Sequence, residues 1–198
     1  MHASKYQANP GQSTDLLTSV IAKIVEMKVA RSDEPILFLK MHIAQYKLET
    51  GALADAKSLV EAGREELEGL SDVDPSVSAA VHYVASLYFK GTSNYAEFYR
   101  TTLMYLSFVS SESLPEVWSE GKTAGLAHSN KSAMFFHFQD FKLRMAVDVS
   151  LAALLGENIY SFGQLLQHPI AVALDNGPHQ WLHEMLKVCL MLIFMGST

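Results

Sequence analysis

The stretch PILFLKMHIAQYKLETGALADAKSLVEAGREELEGL, residues 35–70, decides the fold class. Proline suits the first position of a helix, and Pro35 follows the acidic pair Asp33-Glu34. From there the apolar residues fall on two helical stripes, Ile36/Leu39/Ile43/Tyr46 and Leu37/Met41/Ala44/Leu48, so this helix is expected to pack on both sides. Gly51 supplies the stop. The return segment places Leu53, Ala56, Val60, Gly63, Leu67 and Leu70 on one face and its charges on the other. Two amphipathic helices joined at a glycine make a helical hairpin.

The same arrangement recurs downstream. SDVDPS offers Asp74 as cap and Pro75 as first helical residue of a helix carrying Val77, Val81, Val84 and Leu87/Tyr88, with Gly91 as its expected turn glycine. NYAEFYRTTLMYLSFV, residues 94–109, returns. Upstream, residues 15–30 put Leu17, Val20, Ile21, Ile24 and Met27 on one stripe behind Ser13 or Thr14 as cap. Hairpins with turn glycines at 51 and 91 match the repeat length of α-solenoids. Tyr46, the turn Gly51 and Ala56 at a close helix approach give the first hairpin a tetratricopeptide-like character. The expected fold is all-α, a right-handed α-solenoid of tetratricopeptide-like hairpins, with a closed bundle as the alternative.

The expected organisation is a disordered terminus over 1–12, helical repeats over 13–110 and an irregular insertion or linker over 111–141. A helical segment continuing the solenoid over 142–187 and an atypical apolar tail over 188–198 follow. The linker assignment rests on SSESLPEVWSEGKTAGLAHSNKSAMFFHFQDF, residues 110–141, which sustains no period. Helical order resumes at Lys142, with Leu143, Val147, Leu151 and Leu154 on a stripe that Gly156 terminates.

LLGENIYSFGQLLQHPI, residues 154–170, is the densest local signal. Ser161 and Gln164 have capping-box spacing, Tyr160 and Leu165 occupy the positions of a hydrophobic staple, and Pro169 ends the helix at His168 while opening the next turn. A final helix is expected to turn Trp181, Leu182, Met185, Leu186 and Cys189 inward.

Chemistry finds little support. The chain of 198 residues has net charge −6, with its Lys and Arg scattered, which argues against a nucleic-acid or anionic-membrane surface. One cysteine, Cys189, allows no internal disulfide and no thiolate cluster. The polar N-terminus lacks the apolar core of a secretory signal, and VCLMLIFM, residues 188–195, falls short of the roughly 18 residues that span a bilayer. Gly156 and Gly163 are not preceded by a strand or followed by Lys-Ser/Thr, so they do not read as a phosphate loop. His179 and His183 stand at i and i+4, with Glu184 or His168 as a third ligand, but without an H-E-x-x-H pattern. Cys189 on an apolar stripe reads as an inert thiol, Asp72/Asp74 as helix-start residues, and His42, His82, His128 and His137 as scattered. Tyr83/Tyr88/Phe89 and Tyr95/Phe98/Tyr99/Tyr105 fit either interhelical packing or a peptide groove. No catalytic, cofactor or metal residue is assigned.

YKLETG, SDVDPSV, YAEFYRTTLMYL, SSESLP, LAALLGENIYSFGQLLQHPI and QWLHEML together resemble the subunit-13 family of the proteasome lid, in its plant-like form. The most specific match is LLGE, an aromatic, FG-x-LL and HP. The expected structural signature is thus Gly51, Ala56, Pro75, Gly156, Ser161, Phe162, Gly163, Gln164, His168, Pro169 and Trp181.

The resemblance implies a non-catalytic scaffold of the 19S regulatory particle, in cytoplasm and nucleus. It would contact other lid subunits and the neighbouring ubiquitin receptor and need no cofactor. A free-standing tetratricopeptide-like adaptor and a subunit of the signalosome or an initiation-factor scaffold are the alternatives. Family members carry helices before the region matching Asp15, a short connection where residues 116–141 stand here, and a PCI winged-helix module that this sequence does not match. Those departures suggest a spliced or mispredicted product, with an exposed VCLMLIFM and weakened assembly, as expectations.

Overall fold

The computed structural model describes residues 10–28, 30–109, 131–175 and 177–196, and no strand occurs among them. Eight α-helices occupy the described residues: α1 Pro10–Glu26, α2 Asp33–Glu49, α3 Leu53–Gly69, α4 Pro75–Gly91, α5 Tyr95–Phe108, α6 Lys131–Leu155, α7 Phe162–Gln167 and α8 Gln180–Gly196. A 3₁₀ segment, Pro169–Leu174, joins α7 to the approach of α8. Each helix from α1 to α6 packs on its chain neighbour, and α2 also reaches α4. Packing that advances along the chain in this way is that of an α-solenoid. Beyond α6, the 3₁₀ segment and α8 both lie against α6, and α7 against α8.

Both hairpin turns are the same motif. Ala52 N–H donates to the Lys47 carbonyl (2.9 Å) and Gly51 N–H to that of Leu48 (3.0 Å), which is the Schellman pair. Gly51 sits at φ +80°, where a residue without Cβ is unstrained. In the second turn Asn94 N–H donates to the Phe89 carbonyl (3.0 Å) and Ser93 N–H to that of Lys90 (3.2 Å). Here the left-handed position belongs to Ser93 at φ +57°, while Gly91 is the last residue of α4. The expected turn glycine is therefore displaced: the helix runs through Gly91, and the strained conformation falls on a residue with a Cβ. Ser93→Gly is expected to raise stability by about 0.5–1 kcal/mol, read as a higher urea midpoint at unchanged slope.

The starts follow local chemistry. Asp74 accepts from Ser76 N–H (2.8 Å) and the Ser76 hydroxyl (2.6 Å), with Pro75 behind it at the first helical position. Asp74 N–H donates to Glu34 Oε2 (3.1 Å), tying the start of α4 to that of α2. The Ser76 bonds hold the Asp74 carboxyl below its usual range. Asn94 caps α5 by accepting from Glu97 N–H (3.3 Å).

The core is continuous across the stack. Leu37, Met41 and Ala44 of α2 share it with Val60 of α3, and Val81, Val84, Tyr99, Tyr105 and Leu106 carry it into α5. Every one of these is at most 2% exposed. Leu37, Met41 and Ala44 form the deeper of the two stripes read on α2; on the other, Ile43 is buried and Ile36, Leu39 and Tyr46 are half-buried. Lys40–Glu66 (2.6 Å), Lys47–Asp55 (2.7 Å) and Lys90–Asp148 (2.5 Å) bridge elements at the surface, where such pairs contribute roughly 0.2–1 kcal/mol each.

Several boundaries differ from expectation. Helix α1 opens at Pro10, inside the region read as a disordered terminus, because proline suits the first turn; Thr14 bonds back to the Gly11 carbonyl (2.7 Å) rather than capping. On α1, Val20 (36%) stays exposed, as does Met27 (66%) just past its end, while Leu17, Ile21 and Ile24 are half-buried. Helix α6 begins at Lys131, not Lys142, since KSAMFFHFQD contains neither glycine nor proline to break it. The rest of that expected insertion, 110–130, lies outside the described residues, as do positions 1–9 of the terminus. The apolar run from Val188 is no separate tail; it continues α8 to Gly196.

Candidate interaction surface

The signature stretch runs alongside α5 and is fastened to it at three points. At the first, Gly156 follows the end of α6 so closely against the start of α5 that a Cβ there would lie 3.2 Å from Ala96 N and 2.8 Å from the Ala152 carbonyl oxygen, and would overlap Ile159 Cδ1. At the second, the Tyr99 hydroxyl donates to the Ser161 carbonyl (2.9 Å). At the third, His168 Nδ1 accepts from Ile170 N–H (3.1 Å), which leaves the ring proton on Nε2, 3.3 Å from the Leu106 carbonyl it donates to. Residues 96, 99 and 106 rise along one helix, so the stretch tracks α5 for about 15 Å. Its glycine, serine and histidine act as fastenings.

Some local expectations fail here. Ser161 stands at the cap position before α7, but its side chain makes no cap bond, so the box with Gln164 does not form; the Ser161 carbonyl is instead held by Tyr99. Tyr160 is 66% exposed and cannot staple Leu165, which is buried. Phe162 is buried as the first residue of α7. Gly163 has open space around it, so no close approach requires glycine there. Pro169 heads the 3₁₀ segment, which buries Ile170, Ala171 and Leu174. Trp181 faces outward at 56% exposure; Leu182 and Leu186, both fully buried, define the inward face of α8 about a quarter-turn away, and Met185 is exposed with Trp181. Cys189 is half-buried and free.

His168, His179 and His183 do not assemble into a ligand set, and His128 lies outside the described residues. His183 Nδ1 lies against the Asp175 carboxylate and ties α8 to the end of the 3₁₀ segment, Glu184 pairs with Lys187 (3.1 Å), and His168 is committed to backbone. Among the described residues no group of three or more His, Cys, Asp or Glu could hold a metal. The aromatic clusters are largely packing: Phe98, Tyr99 and Tyr105 are buried, and Tyr105 leans on Tyr83 at 5.2 Å between ring centres. Burial pushes the Tyr105 phenol well above its usual range.

A groove of about 650 Å³ opens between α3, α4 and α5, lined among others by Arg64, Leu67, His82, Arg100, Met104 and Phe108. Glu97 holds both rim cations, Arg100 at 2.8 Å and Arg64 at 3.9 Å, and Arg64 lies 5.7 Å from the Phe89 ring centre. His82 stacks on Phe108 at 5.7 Å with the rings nearly parallel. No local motif in the sequence marks this groove, because its residues come from three helices.

His42, His82 and His168 are all held below the usual histidine value of 6.5. Burial is the leading cause in each. The Arg64 charge adds to it at His82, and the Leu106 carbonyl bond partly offsets it at His168. A depressed folded-state value means the unfolded chain takes up protons first, so the stability these groups contribute is present above pH 6.5 and is lost as pH falls below it. A urea midpoint lower at pH 5.5 than at pH 7.5 is expected, by roughly the linkage that these histidines carry.

Comparison with known proteins places these features in context. The sequence model described as PSD13 N-terminal repeats matches residues 1–186. The chain is 37% identical over 171 residues to 26S proteasome non-ATPase regulatory subunit 13 homolog B of Arabidopsis thaliana, covering 86% of this chain and 38% of the relative. With homolog A of the same plant it shares 35% over 184 residues, covering 93% and 42%. With 26S proteasome regulatory subunit RPN9 of Saccharomyces cerevisiae it shares 28% over 153 residues, covering 77% and 33%. The chain thus spans about two fifths of the length of its plant relatives.

Proposed function

The chain belongs to the proteasome non-ATPase regulatory subunit 13 family, in its N-terminal repeat region, and from that premise we propose that it is a non-catalytic structural element of the 26S regulatory-particle lid. The observation that carries the reading is the family match over residues 1–186, which includes the whole signature stretch. In that stretch Gly156 permits close contact, and Ser161 and His168 bond to α5. A scaffold requires such a rigid joint, because the position of one hairpin sets that of the next.

The partners in this reading are other lid subunits and the neighbouring ubiquitin receptor, in cytoplasm and nucleus. The groove between α3, α4 and α5, which sets Leu67, Met104 and Phe108 beside Arg64 and Arg100, offers a protein segment a concave surface of mixed character. Among the described residues no helix is long and apolar enough to cross a membrane. Glycerol-gradient sedimentation of a cell extract containing the tagged chain tests the assignment. Migration of the chain with regulatory-particle subunits is expected, and migration solely as a small free species would count against it.

A further inference from the structure

His168 bridges two elements with a single ring. Its Nδ1 accepts from Ile170 N–H (3.1 Å), and its Nε2 donates to the Leu106 carbonyl (3.3 Å). A backbone N–H can only donate, so Nδ1 must keep its lone pair and the ring must be neutral. Pro169 has no N–H, which makes Ile170 the first donor of the 3₁₀ segment. The ring therefore joins the start of that segment to the last turn of α5, across 62 positions of sequence.

We infer that this ring is a pH-operated clasp: a second ring proton parts the 3₁₀ segment from α5 while the helical hairpins stay folded. With Nδ1 protonated, two donors confront each other and Ile170 N–H loses its acceptor. An imidazolium donates to the Leu106 carbonyl more strongly, but it can do so only if the start of the 3₁₀ segment moves away. That segment is six residues long, short enough to open as a local unit.

Neither α7 nor the 3₁₀ segment carries an ionisable side chain. On α5, the Tyr99 hydroxyl is engaged by the Ser161 carbonyl, Tyr105 leans on Tyr83, and Glu97 pairs with Arg100. On α6, Asp148 pairs with Lys90, and Lys142 and Arg144 lie further toward its start. On α8, His183 lies against Asp175 and Glu184 pairs with Lys187, with His179 just before the helix. Among the described residues no charged side chain shifts the His168 titration: burial lowers it, and the Leu106 carbonyl partly offsets that. The clasp is thus closed above the ordinary histidine value of 6.5 and is lost as pH falls from there through the lowered value of the closed form.

Amide hydrogen exchange of the whole chain at pH 7.5 and 5.5, corrected for the intrinsic pH dependence of exchange, tests this. Protection over residues 169–174 is expected to fall several-fold on acidification, and by no more than about tenfold per pH unit, the limit for one proton. Protection in α3, which contains no histidine, should hold. His168→Asn gives Ile170 an acceptor that does not titrate, so protection over 169–174 should no longer follow pH in that variant. In the unaltered protein the Ile170 amide resonance should titrate with the midpoint of the His168 ring protons. Unchanged protection over 169–174, equal loosening of α3, or an Ile170 amide that ignores the ring midpoint overturns the inference. So does a pH response that survives in folded His168→Asn.

Discussion

Replacing Gly156 by alanine is expected to destabilise the protein by about 2–3 kcal/mol and lower its melting temperature by about 5–10 °C. The argument is steric and depends on which atoms resist. Ile159 Cδ1 is the end of a side chain and can turn aside, but Ala96 N and the Ala152 carbonyl oxygen are backbone atoms of two packed helices. Relief requires the last turn of α6 to open at the bond from Gly156 N–H to the Ala152 carbonyl and to draw back from the start of α5, in a core where Val149 and Ala152 are buried. Gly163→Ala is the control: a Cβ there meets nothing within 4 Å, and alanine favours the helix of α7 by up to about 1 kcal/mol. Two glycines seven positions apart should therefore respond with opposite signs in thermal melts.

His168→Ala is expected to cost about 2 kcal/mol. It removes the acceptor for Ile170 N–H, uncapping the 3₁₀ segment, and the donor for the Leu106 carbonyl, unfastening the stretch from α5. Asparagine can still cap Ile170 yet is too short to reach Leu106, so His168→Asn should recover about half the loss. Chemical denaturation of the three proteins checks this. Equal loss in the asparagine and alanine variants would mean that only the link to α5 matters. The alanine variant should also show a smaller fall in stability between pH 7.5 and 5.5, because one of the three depressed histidines is gone.

What the sequence discloses and what it conceals divide along a physical line. Gly51 in its Schellman turn and Asp74-Pro75 at the start of α4 are legible because neighbours a few residues away determine them. Periodicity places Ala56, Val60 and Gly63 of α3 and Val77, Val81 and Val84 of α4 on faces that are buried, but Leu53, read on the same face of α3, is 42% exposed at the helix start. Gly91 misleads because a glycine near a helix end need not occupy the left-handed position; α4 continues through it and Ser93 takes the strain. Trp181 misleads because apolar character alone does not tell an inward face from an outward one on a helix that is apolar nearly all round. The fastening of Ser161 to Tyr99 and of His168 to Leu106 joins residues 62 positions apart, and no local pattern encodes such a pairing. The same separation hides the groove, whose Arg64, His82 and Arg100 come together only once three helices have packed.

We propose that this helical stack holds other proteins in place within the regulatory particle. Quantitative mass spectrometry of what the tagged, folded chain retains from native extract tests it most directly, with the unfastened Gly156→Ala protein run in parallel. Enrichment of other non-ATPase subunits of the regulatory particle is expected, reduced in the variant. Retention of no such subunit by the folded chain would contradict it.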